Sequence, residues 1–250
     1  MKGKKPAVLV VNDDGIHGPG LRPLISALSE IADVTTLVPE KERSAQSHTL
    51  TLHKPLRVVR VQENIYKVNG SPADCARLGT IRLLRRRVDL IVSGINAGFN
   101  IGHDVVYSGT VAAAMEGAIL GIPSIAVSRQ FQRNADYGPA GRIAKKIALL
   151  VLRKGLPEGA CLSVNVPSVL KGKDAKLVST RLGKRVYDDS ITTRADPIGK
   201  RYHWLVGKIK RSVGRSGTDV AAVNGGRVSV TPLHVDYTDE SLLKRLKTWL

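Results

Sequence analysis

The sequence predicts an α/β fold: a Rossmann-like, doubly wound and mostly parallel sheet, followed by an extended C-terminal antiparallel element and a terminal helix. Two observations support this class. Four apolar runs rich in β-branched residues, at 7–11, 33–39, 88–92 and 122–128, each lead into polar or glycine-rich residues, as buried parallel strands do. Segments with helical spacing of apolar residues separate these runs, and this alternation is typical of βαβ units.

The first two strands are expected to flank a helix. The apolar run 7–11 ends at two carboxylates, and several glycines and a proline then break it into a loop. Leu21, Leu24 and Leu28 recur at helical spacing, so an amphipathic helix follows this loop. Residues 33–39 predict the second strand, which stops at its proline.

A hairpin and a second helix are predicted next. After a polar loop at 40–53, short β-branched runs at 56–61 and 65–68 have the length and composition of hairpin strands. Ser71 can cap a helix that has a proline at its first position, and we expect this helix to run to about Arg86.

The third strand leads into a loop and a helix that matter for function. Residues 88–92 form the strand, and 93–102 are rich in glycine and asparagine. The alanine-rich segment 110–120 predicts a helix that packs closely on the sheet, with Ser108 or Gly109 as its N-cap.

The pattern is looser in the C-terminal part. A helix is predicted at 139–153 and a strand at 161–166. Residues 203–207 and 226–232 predict strands of a separate antiparallel element, and 240–250 predict a terminal helix with an unpartnered apolar face.

Composition excludes several classes of protein. With 250 residues and 42% hydrophobic residues the chain can bury a core, and it has no apolar run of transmembrane length. Aromatic residues make up only 4%, so base stacking is not expected as the main function. Cys75 and Cys161 have neither metal-binding nor disulfide spacing, and the N-terminus lacks the apolar region of a signal peptide. We therefore expect a cytoplasmic protein that does not bind membranes.

The positive charge of the chain is concentrated in one region. The net charge is +18, and residues 142–215 hold 18 Lys and Arg against 5 Asp and Glu, a net charge of +13. Such a region attracts polyanions such as nucleotides, RNA or polyphosphate, or it is simply a solvated surface. The sequence leaves both interpretations open.

Polar side chains follow three of the predicted strands. Asp13 and Asp14 come directly after the first strand, Ser44 lies beyond the second, and Asn96 lies beyond the third. In a parallel sheet the carboxyl ends of these strands share one edge. Adjacent carboxylates are tolerated when they are solvated, when one is protonated or when a cation lies between them. Carboxylate, hydroxyl and amide oxygens suit Mg²⁺, Mn²⁺ or Ca²⁺, and no His/Cys cluster indicates zinc.

The start of the helix at 110–120 predicts a phosphate site. Ser108, Gly109 and Thr110 offer hydroxyls and free backbone N–H groups there. A hard cation beside such a helix end indicates metal-assisted hydrolysis of a phosphate ester.

Other polar residues near these loops have more than one interpretation. Three histidines are either proton donors for the leaving alcohol or exposed loop residues: His17, His48 and His103. Glu116 and Cys75 are expected to be structural.

Four sequence blocks are distinctive. They are Asn-Asp-Asp-Gly at 12–15 with Pro-Gly at 19–20, Arg-Ser at 43–44, Gly-Ser-Pro-Ala-Asp-Cys at 70–75, and Val-Ser-Gly-Ile-Asn-Ala-Gly at 92–98, continued by Asn-Ile-Gly at 100–102 and Tyr-Ser-Gly-Thr-Val-Ala-Ala-Ala at 107–114. In these blocks the chain resembles the SurE family, the survival-protein E nucleotidases. Weaker matches continue to residue 233, so the resemblance covers nearly the whole chain. It departs from the family where Ala45 replaces the usual glycine and Ser71 the usual threonine.

The resemblance implies a divalent-metal phosphatase that hydrolyses nucleoside 5′- and 3′-monophosphates and, in some members, short polyphosphate. It implies one metal ion per subunit, Mg²⁺ or Mn²⁺ with Ca²⁺ as a further option. The implied metal ligands are Asp13, Asp14, Ser44 and Asn96. The catalytic residues are expected to be Asp13, Asp14 and Asn96. The phosphate-binding residues are expected to be Asn12, Gly15, Ser108, Gly109 and Thr110.

The resemblance also implies an assembly. Residues 1–135 would form the Rossmann-like catalytic core. Residues 136–250 would complete that core and supply a hairpin extension and a terminal helix that are exchanged in a homodimer or homotetramer.

Alternatives remain at this stage. In place of a metal-activated water, Asp13 or Asp14 could form a covalent phosphoaspartate, although the usual separated Asp-x-Asp is missing. A non-catalytic nucleotide- or RNA-binding protein would rest on the basic surface, would depend strongly on salt and would not need Asp13. For the phosphatase, nucleic acid is expected only as a weakly bound polyanion. A Rossmann oxidoreductase is disfavoured because no GxGxxG follows the first strand.

Overall fold

The computed structural model of the protein describes residues 5–84, 86–169, 176–188 and 190–250. The strands are β1 (Ala7–Val11), β2 (Asp33–Pro39), β3 (Val58–Gln62), β4 (Ile65–Val68), β5 (Leu90–Ala97), β6 (Ser124–Arg129), β7 (Ala160–Val166), β8 (Leu177–Ser179), β9 (Lys184–Asp188), β10 (Ile191–Ala195), β11 (Arg201–Leu205), β12 (Lys208–Val213) and β13 (Val228–His234). The helices are α1 (Leu21–Ser29), α2 (Pro72–Leu78), α3 (Gly109–Ile119), α4 (Gly138–Lys154), α5 (Asp219–Asn224) and α6 (Glu240–Trp249). Among the residues so described, no helix is long and apolar enough to cross a membrane.

A nine-stranded sheet forms the centre of the fold, in the order β3-β4-β2-β1-β5-β6-β7-β13-β8. The strands from β4 to β7 are all parallel, and β3 and β13 run antiparallel to β4 and β7. Chain order proceeds outward from β1 in one direction to β2 and β4, and in the other direction from β5 to β7. The topological switch point, where α/β proteins bind ligands, therefore lies between β1 and β5.

Strand β1 is buried on both faces, as its run of apolar residues predicts. Val8 and Val10 pack into the core that includes α1 and α4, whereas Leu9 and Val11 pack into the core that includes α2 and α3. Alternation along the strand thus places two helices on each face of the sheet. The predicted α/β class with a mostly parallel sheet is confirmed.

The predicted second helix begins where expected but ends early. Ser71 accepts a hydrogen bond from the backbone N–H of Asp74, whose carboxylate accepts one from the backbone N–H of Ser71, so a capping box starts α2. The α-helix stops at Leu78 and continues only as a π-helical turn, Gly79–Leu83. The prediction of one helix reaching Arg86 is wrong, because a glycine and two β-branched residues follow Leu78 and disfavour a further α-helical turn.

The C-terminal part contributes both to the sheet and to an extension. Strands β10 and β11 pair with each other, as do β9 and β12, in two small antiparallel ribbons. Strand β13 was predicted to belong to a separate antiparallel element, and this is wrong. It lies in the main sheet between β7 and β8, because its backbone pairs with both and its residues Val228 and Ser229 are fully buried there. Helix α6 has all its residues exposed or partly exposed.

Candidate active site

A cavity of about 780 Å³ opens at the switch point of the sheet. Its volume is in the range of small-molecule sites. Five of the residues predicted from sequence line it: Asp13, Asp14, Ser44, Asn96 and Ser108. The other predicted site residues lie behind this lining: Asn12, Gly15, Gly109 and Thr110. The structure therefore brings together residues that are up to 95 positions apart in the chain.

Two adjacent carboxylates form the floor of the cavity. Asp13 is 3% exposed, and the hydroxyl of Thr110 donates a hydrogen bond to its Oδ1. Burial raises the pKa of Asp13 above its ordinary value, against the effect of that hydrogen bond. The backbone N–H of Ala97 donates to Oδ2 of Asp14 over 3.1 Å. Burial, and next the charge of Asp13, raise the pKa of Asp14 to about 6.

The amide of Asn96 is turned toward the same place by a bulge. The register between β5 and β6 shifts at Gly94 and Asn96, and such bulges redirect side chains beside active sites. The Nδ2 group of Asn96 donates to the carbonyl oxygen of Gly98 over 2.9 Å. This bond sets the positions of Nδ2 and Oδ1 in the amide group, and it leaves Oδ1 available as a ligand.

Ser44 is oriented by a carboxylate that sequence reasoning missed. Its hydroxyl donates to Oε1 of Glu42 over 2.7 Å, which leaves the lone pairs of Oγ free to face a cation. The loop is tied to the site because the N–H of Arg43 donates to the carbonyl oxygen of Asp13 over 2.7 Å. Ala45, which departs from the family's glycine, lies at φ 56°, a left-handed conformation that glycine adopts more readily. Glu42 lines the cavity. Its position two residues before Ser44 is the sequence feature that could have indicated its contact with the serine hydroxyl.

The residues present fit a divalent cation. Each of the four predicted ligands has one hydrogen bond that sets its orientation, as is usual around metal sites. The raised pKa values show that the charged forms of these two neighbouring acids are unfavourable without a counter-charge. A cation would offset both the cost of burying the two charges and their mutual repulsion. Across the described ranges, no group of three His, Cys, Asp or Glu side chains could hold a metal, so a cation bound here would also need the serine and asparagine oxygens.

Helix α3 begins beside the carboxylates. Ser108 caps it by accepting a hydrogen bond from the N–H of Val111 over 3.1 Å. At Gly109 an added Cβ would lie 2.9 Å from Cβ of Asp13 and 3.0 Å from Cγ of Pro72, so only glycine permits this close approach. The helix N-terminus and the carboxylates are therefore adjacent, and a phosphate bound there would meet both N–H donors and a cation.

Asn12 and Gly15 form the turn that carries the carboxylates. Nδ2 of Asn12 donates to the carbonyl oxygen of Gly15 over 2.9 Å, and the N–H of Gly15 donates back to Oδ1 of Asn12 over 3.1 Å. Gly15 has φ 78° and lies against the backbone of Lys41. Because these groups already bond to each other, their phosphate-binding role stays a prediction. The geometry shows them stabilising the turn that carries the carboxylates.

The C-terminal ribbon supplies one wall of the cavity, which sequence reasoning also missed. Arg185 and Tyr187 on β9 both line the cavity, and both bond to the carboxylate of Asp104, with the Tyr187 hydroxyl 2.6 Å from Oδ1. Burial, together with the bond to Asp104 and its charge, raises the pKa of Tyr187 to about 12. These residues lie 81 and 83 positions from Asp104, and no local pattern links them.

The predicted histidines have different surroundings. His17 lines the cavity, whereas His103 is exposed on the turn Gly102–Val106. His48 bonds to Glu116 over 2.8 Å, and Arg77 bonds to the other oxygen of Glu116 over 2.6 Å. Burial alone would raise the pKa of Glu116, but the bond from His48 and the charge of Arg77 outweigh it and lower that pKa.

The predicted structural roles fit these surroundings. Glu116 is 1% exposed and links α3 to α2 and to the loop that carries Ser44. Cys75 is fully buried, and burial holds the pKa of its thiol well above the ordinary value, so it is not a nucleophile.

Comparison with known proteins identifies the family of this chain. A family model described as Survival protein SurE matches residues 8–189. A relative from Geobacter sp. (strain M21), named 5′-nucleotidase SurE, is 44% identical over 243 residues, which cover 97% of this chain and 98% of the relative. A relative of the same name from Pelobacter propionicus is 45% identical over 244 residues, covering 97% and 99%.

A solved structure is similar over the whole fold. The crystal structure of the SurE protein from Aquifex aeolicus superposes with a TM-score of 0.86 and 39% identity, covering 98% of this chain and 99% of that one. The family model, the two relatives and this solved structure lead to one assignment. This chain belongs to the SurE family.

Proposed function

We propose that this protein is a metal-dependent 5′-nucleotidase that hydrolyses nucleoside 5′- and 3′-monophosphates to a nucleoside and phosphate. The observation that carries the proposal is the pair of adjacent carboxylates with raised pKa values, half-buried Asp14 and buried Asp13, of which Asp13 lies against the N-terminus of α3. Such a site binds a cation and a phosphate together. The family membership and the name of its relatives support the same activity.

We assign the four oriented side chains as the cation ligands: Asp13, Asp14, Ser44 and Asn96. When bound, a divalent cation polarises the phosphoryl oxygens and lowers the pKa of a water molecule near it. The oxygen-only ligand set favours Mg²⁺ or Mn²⁺, with Ca²⁺ as a further option, and the single ligand cluster suits one ion per subunit.

Groups of the chain itself bind the phosphate, orient a ligand and donate a proton. The N–H groups at the start of α3, next to Ser108 and Gly109, hold the phosphoryl oxygens and stabilise the charge that develops on them. Thr110 acts through Asp13, since its hydroxyl fixes the orientation of that carboxylate. His17 lines the cavity and is the candidate donor of a proton to the departing alcohol.

The remaining walls suit the nucleoside. The rings of Phe99, Tyr107 and Phe131 line the cavity and offer apolar surface to a base or ribose. Tyr107 and Phe131 are 62% and 70% exposed, so their rings can still be covered by a ligand. Short polyphosphate is a further candidate substrate, as the resemblance to the family implies.

We further propose a homodimer or homotetramer in which residues 136–250 exchange their extension and terminal helix. Leu242, Leu243 and Trp249 on α6 are 40%, 39% and 62% exposed in the single chain. An apolar helical face of this kind is stabilised when a second subunit covers it.

The alternatives are less well supported. A covalent phosphoaspartate is disfavoured because the separated Asp-x-Asp of such enzymes is missing, the two aspartates here being adjacent at positions 13 and 14. A non-catalytic binding protein would have no need of two carboxylates at the floor of a phosphate site, where without a cation they would repel the ligand.

The test is phosphate release from a panel of nucleoside 5′- and 3′-monophosphates in EDTA, Mg²⁺, Mn²⁺ or Ca²⁺. We expect no release in EDTA, and a loss of about 10²-fold or more in Asp13→Asn, because one ligand charge is gone. Asp188→Asn, a matched change of an exposed carboxylate on β9, should keep full activity. Full activity of Asp13→Asn at modest metal concentration would refute the site.

A further inference from the structure

A second concave site lies beside the catalytic cavity and shares none of its lining residues. It has a volume of about 900 Å³ and is formed by two segments, 179–184 and 215–218. Three cationic side chains line it, Arg181, Lys184 and Arg215. Of the residues that the structure describes, no acidic one lines this cavity.

The two segments are held together by their backbones. The N–H of Arg181 donates to the carbonyl oxygen of Gly217 over 3.0 Å, and the N–H of Asp219 donates to the carbonyl oxygen of Arg181 over 2.9 Å. Thr218 fixes its own segment by donating to the carbonyl oxygen of Arg215 over 2.8 Å. The backbones of the two segments that carry the three exposed cationic residues are thus fixed relative to each other.

Among the described residues, no carboxylate pairs with the three positive charges. Within the described ranges, Arg181, Lys184 and Arg215 make no ion pair. The nearest carboxylate along the chain, Asp219, already accepts hydrogen bonds from the backbone N–H groups of Gly102, Gly183 and Val220, over 2.8, 2.6 and 2.7 Å. Three like charges around one concavity repel each other, and an anion between them would reverse that cost.

We propose that this cavity, which we call the arginine cavity, binds an anion with two or more phosphoryl groups. Two guanidinium groups favour phosphate because their planar forks donate paired hydrogen bonds to its oxygens. Ser179 and Ser216 also line the cavity, and each carries a neutral hydroxyl donor. The charge of the lining exceeds what one carboxylate would balance, which points to a pyrophosphate-like group, free or within a nucleotide.

Adjacent residues of the chain and shared hydrogen bonds link the arginine cavity to the catalytic cavity. Lys184 precedes Arg185, which lines the catalytic cavity. Gly183 and Gly102 share the carboxylate of Asp219, and Gly102 begins the turn that carries Asp104. An anion in the arginine cavity therefore lies next to the strand that forms a wall of the catalytic site.

The experiment measures binding without turnover, so it does not depend on the proposed nucleotidase activity. Isothermal titration with pyrophosphate and separately with ADP is done in EDTA at low salt, on the full-length protein. The double variant Arg181→Ala/Arg215→Ala is compared with Arg153→Ala/Lys154→Ala, which removes the same charge from exposed residues at the end of α4. Arg185→Ala reports on the catalytic cavity.

We expect wild type, the α4 variant and Arg185→Ala to bind pyrophosphate equally, and Arg181→Ala/Arg215→Ala to bind about tenfold or more weakly at an unchanged melting temperature. Tighter binding of ADP than of pyrophosphate would identify a nucleotide as the ligand. Equal binding of ADP and pyrophosphate would identify an inorganic phosphate anion as the ligand. Equal losses in the two double variants would show diffuse attraction to the basic surface and overturn the proposal. Loss in Arg185→Ala alone, or no binding by wild type, would overturn it as well.

Discussion

Replacing Asp14 by asparagine should stabilise the metal-free protein at neutral pH while it removes a cation ligand. The pKa of Asp14 is raised from 3.8 to about 6 by burial and by the charge of Asp13. Below pH 3.8 the carboxyl is protonated in both folded and unfolded chains, so the raised pKa costs nothing there. As the pH rises to about 6, the unfolded chain releases its proton first, and unfolding is favoured. Above that pH the loss of stability is complete.

The size of the effect follows from the shift. About two pKa units correspond to about 3 kcal/mol, and partial exposure of Asp14 reduces this to about 2 kcal/mol. Asparagine has no charge to bury, and its Oδ1 can still accept the hydrogen bond from Ala97. The variant should therefore gain about 2 kcal/mol of unfolding free energy above the pKa of Asp14, and almost nothing at about pH 4.

The assay is urea unfolding in EDTA at about pH 4 and about pH 7.5, at one protein concentration because assembly contributes to stability. Asp188→Asn, an exposed carboxylate, should shift the midpoint at neither pH. Excess Mg²⁺ should reverse the order, since bound cation stabilises wild type by about 2.7 kcal/mol at 100 times its Kd. A variant less stable than wild type at about pH 7.5 in EDTA would refute the account of Asp14 as a strained acid.

Two further predictions concern the packing of the site and the assembly. Gly109→Ala should reduce kcat/KM by about tenfold or more, because its methyl group would displace Asp13 or Pro72. The control Gly207→Ala, with nothing closer than 3.5 Å to its added Cβ, should keep its activity. Equal activity in both variants would show that the close approach of Gly109 to Asp13 is not needed. Deleting residues 239–250 should give a smaller oligomer or insoluble protein by light scattering, and a fully active assembly of unchanged stoichiometry would rule out exchange of α6.

The order of strands and helices was predictable because it depends on local pattern. Apolar runs that lead into polar loops marked β1, β2, β5 and β6, and Ser71 and Ser108 marked two helix starts by their capping chemistry. These signals need only a few consecutive residues. The same kind of reasoning placed the carboxylates, Ser44 and Asn96 at one sheet edge, because parallel strands align their carboxyl ends.

Partners joined across long stretches of chain could not be predicted in this way. Glu116 meets His48 and Arg77, 68 and 39 residues away, because α2, α3 and the Ser44 loop pack together on one face of the sheet. Helix α2 ended early for a weaker reason, a competition between α and π turns that propensity alone does not decide.

Sequence by itself thus determined the fold class and the grouping of Asp13, Asp14, Ser44 and Asn96 at one sheet edge, since periodicity and turn chemistry are encoded by neighbours in the chain. Tertiary structure alone decided that β13 inserts into the main sheet, that Arg185 and Tyr187 close the catalytic cavity onto Asp104, and that Arg181 and Arg215 share a second cavity. The physical reason is that these contacts depend on backbone pairing between distant segments, which the free energy of the whole fold selects.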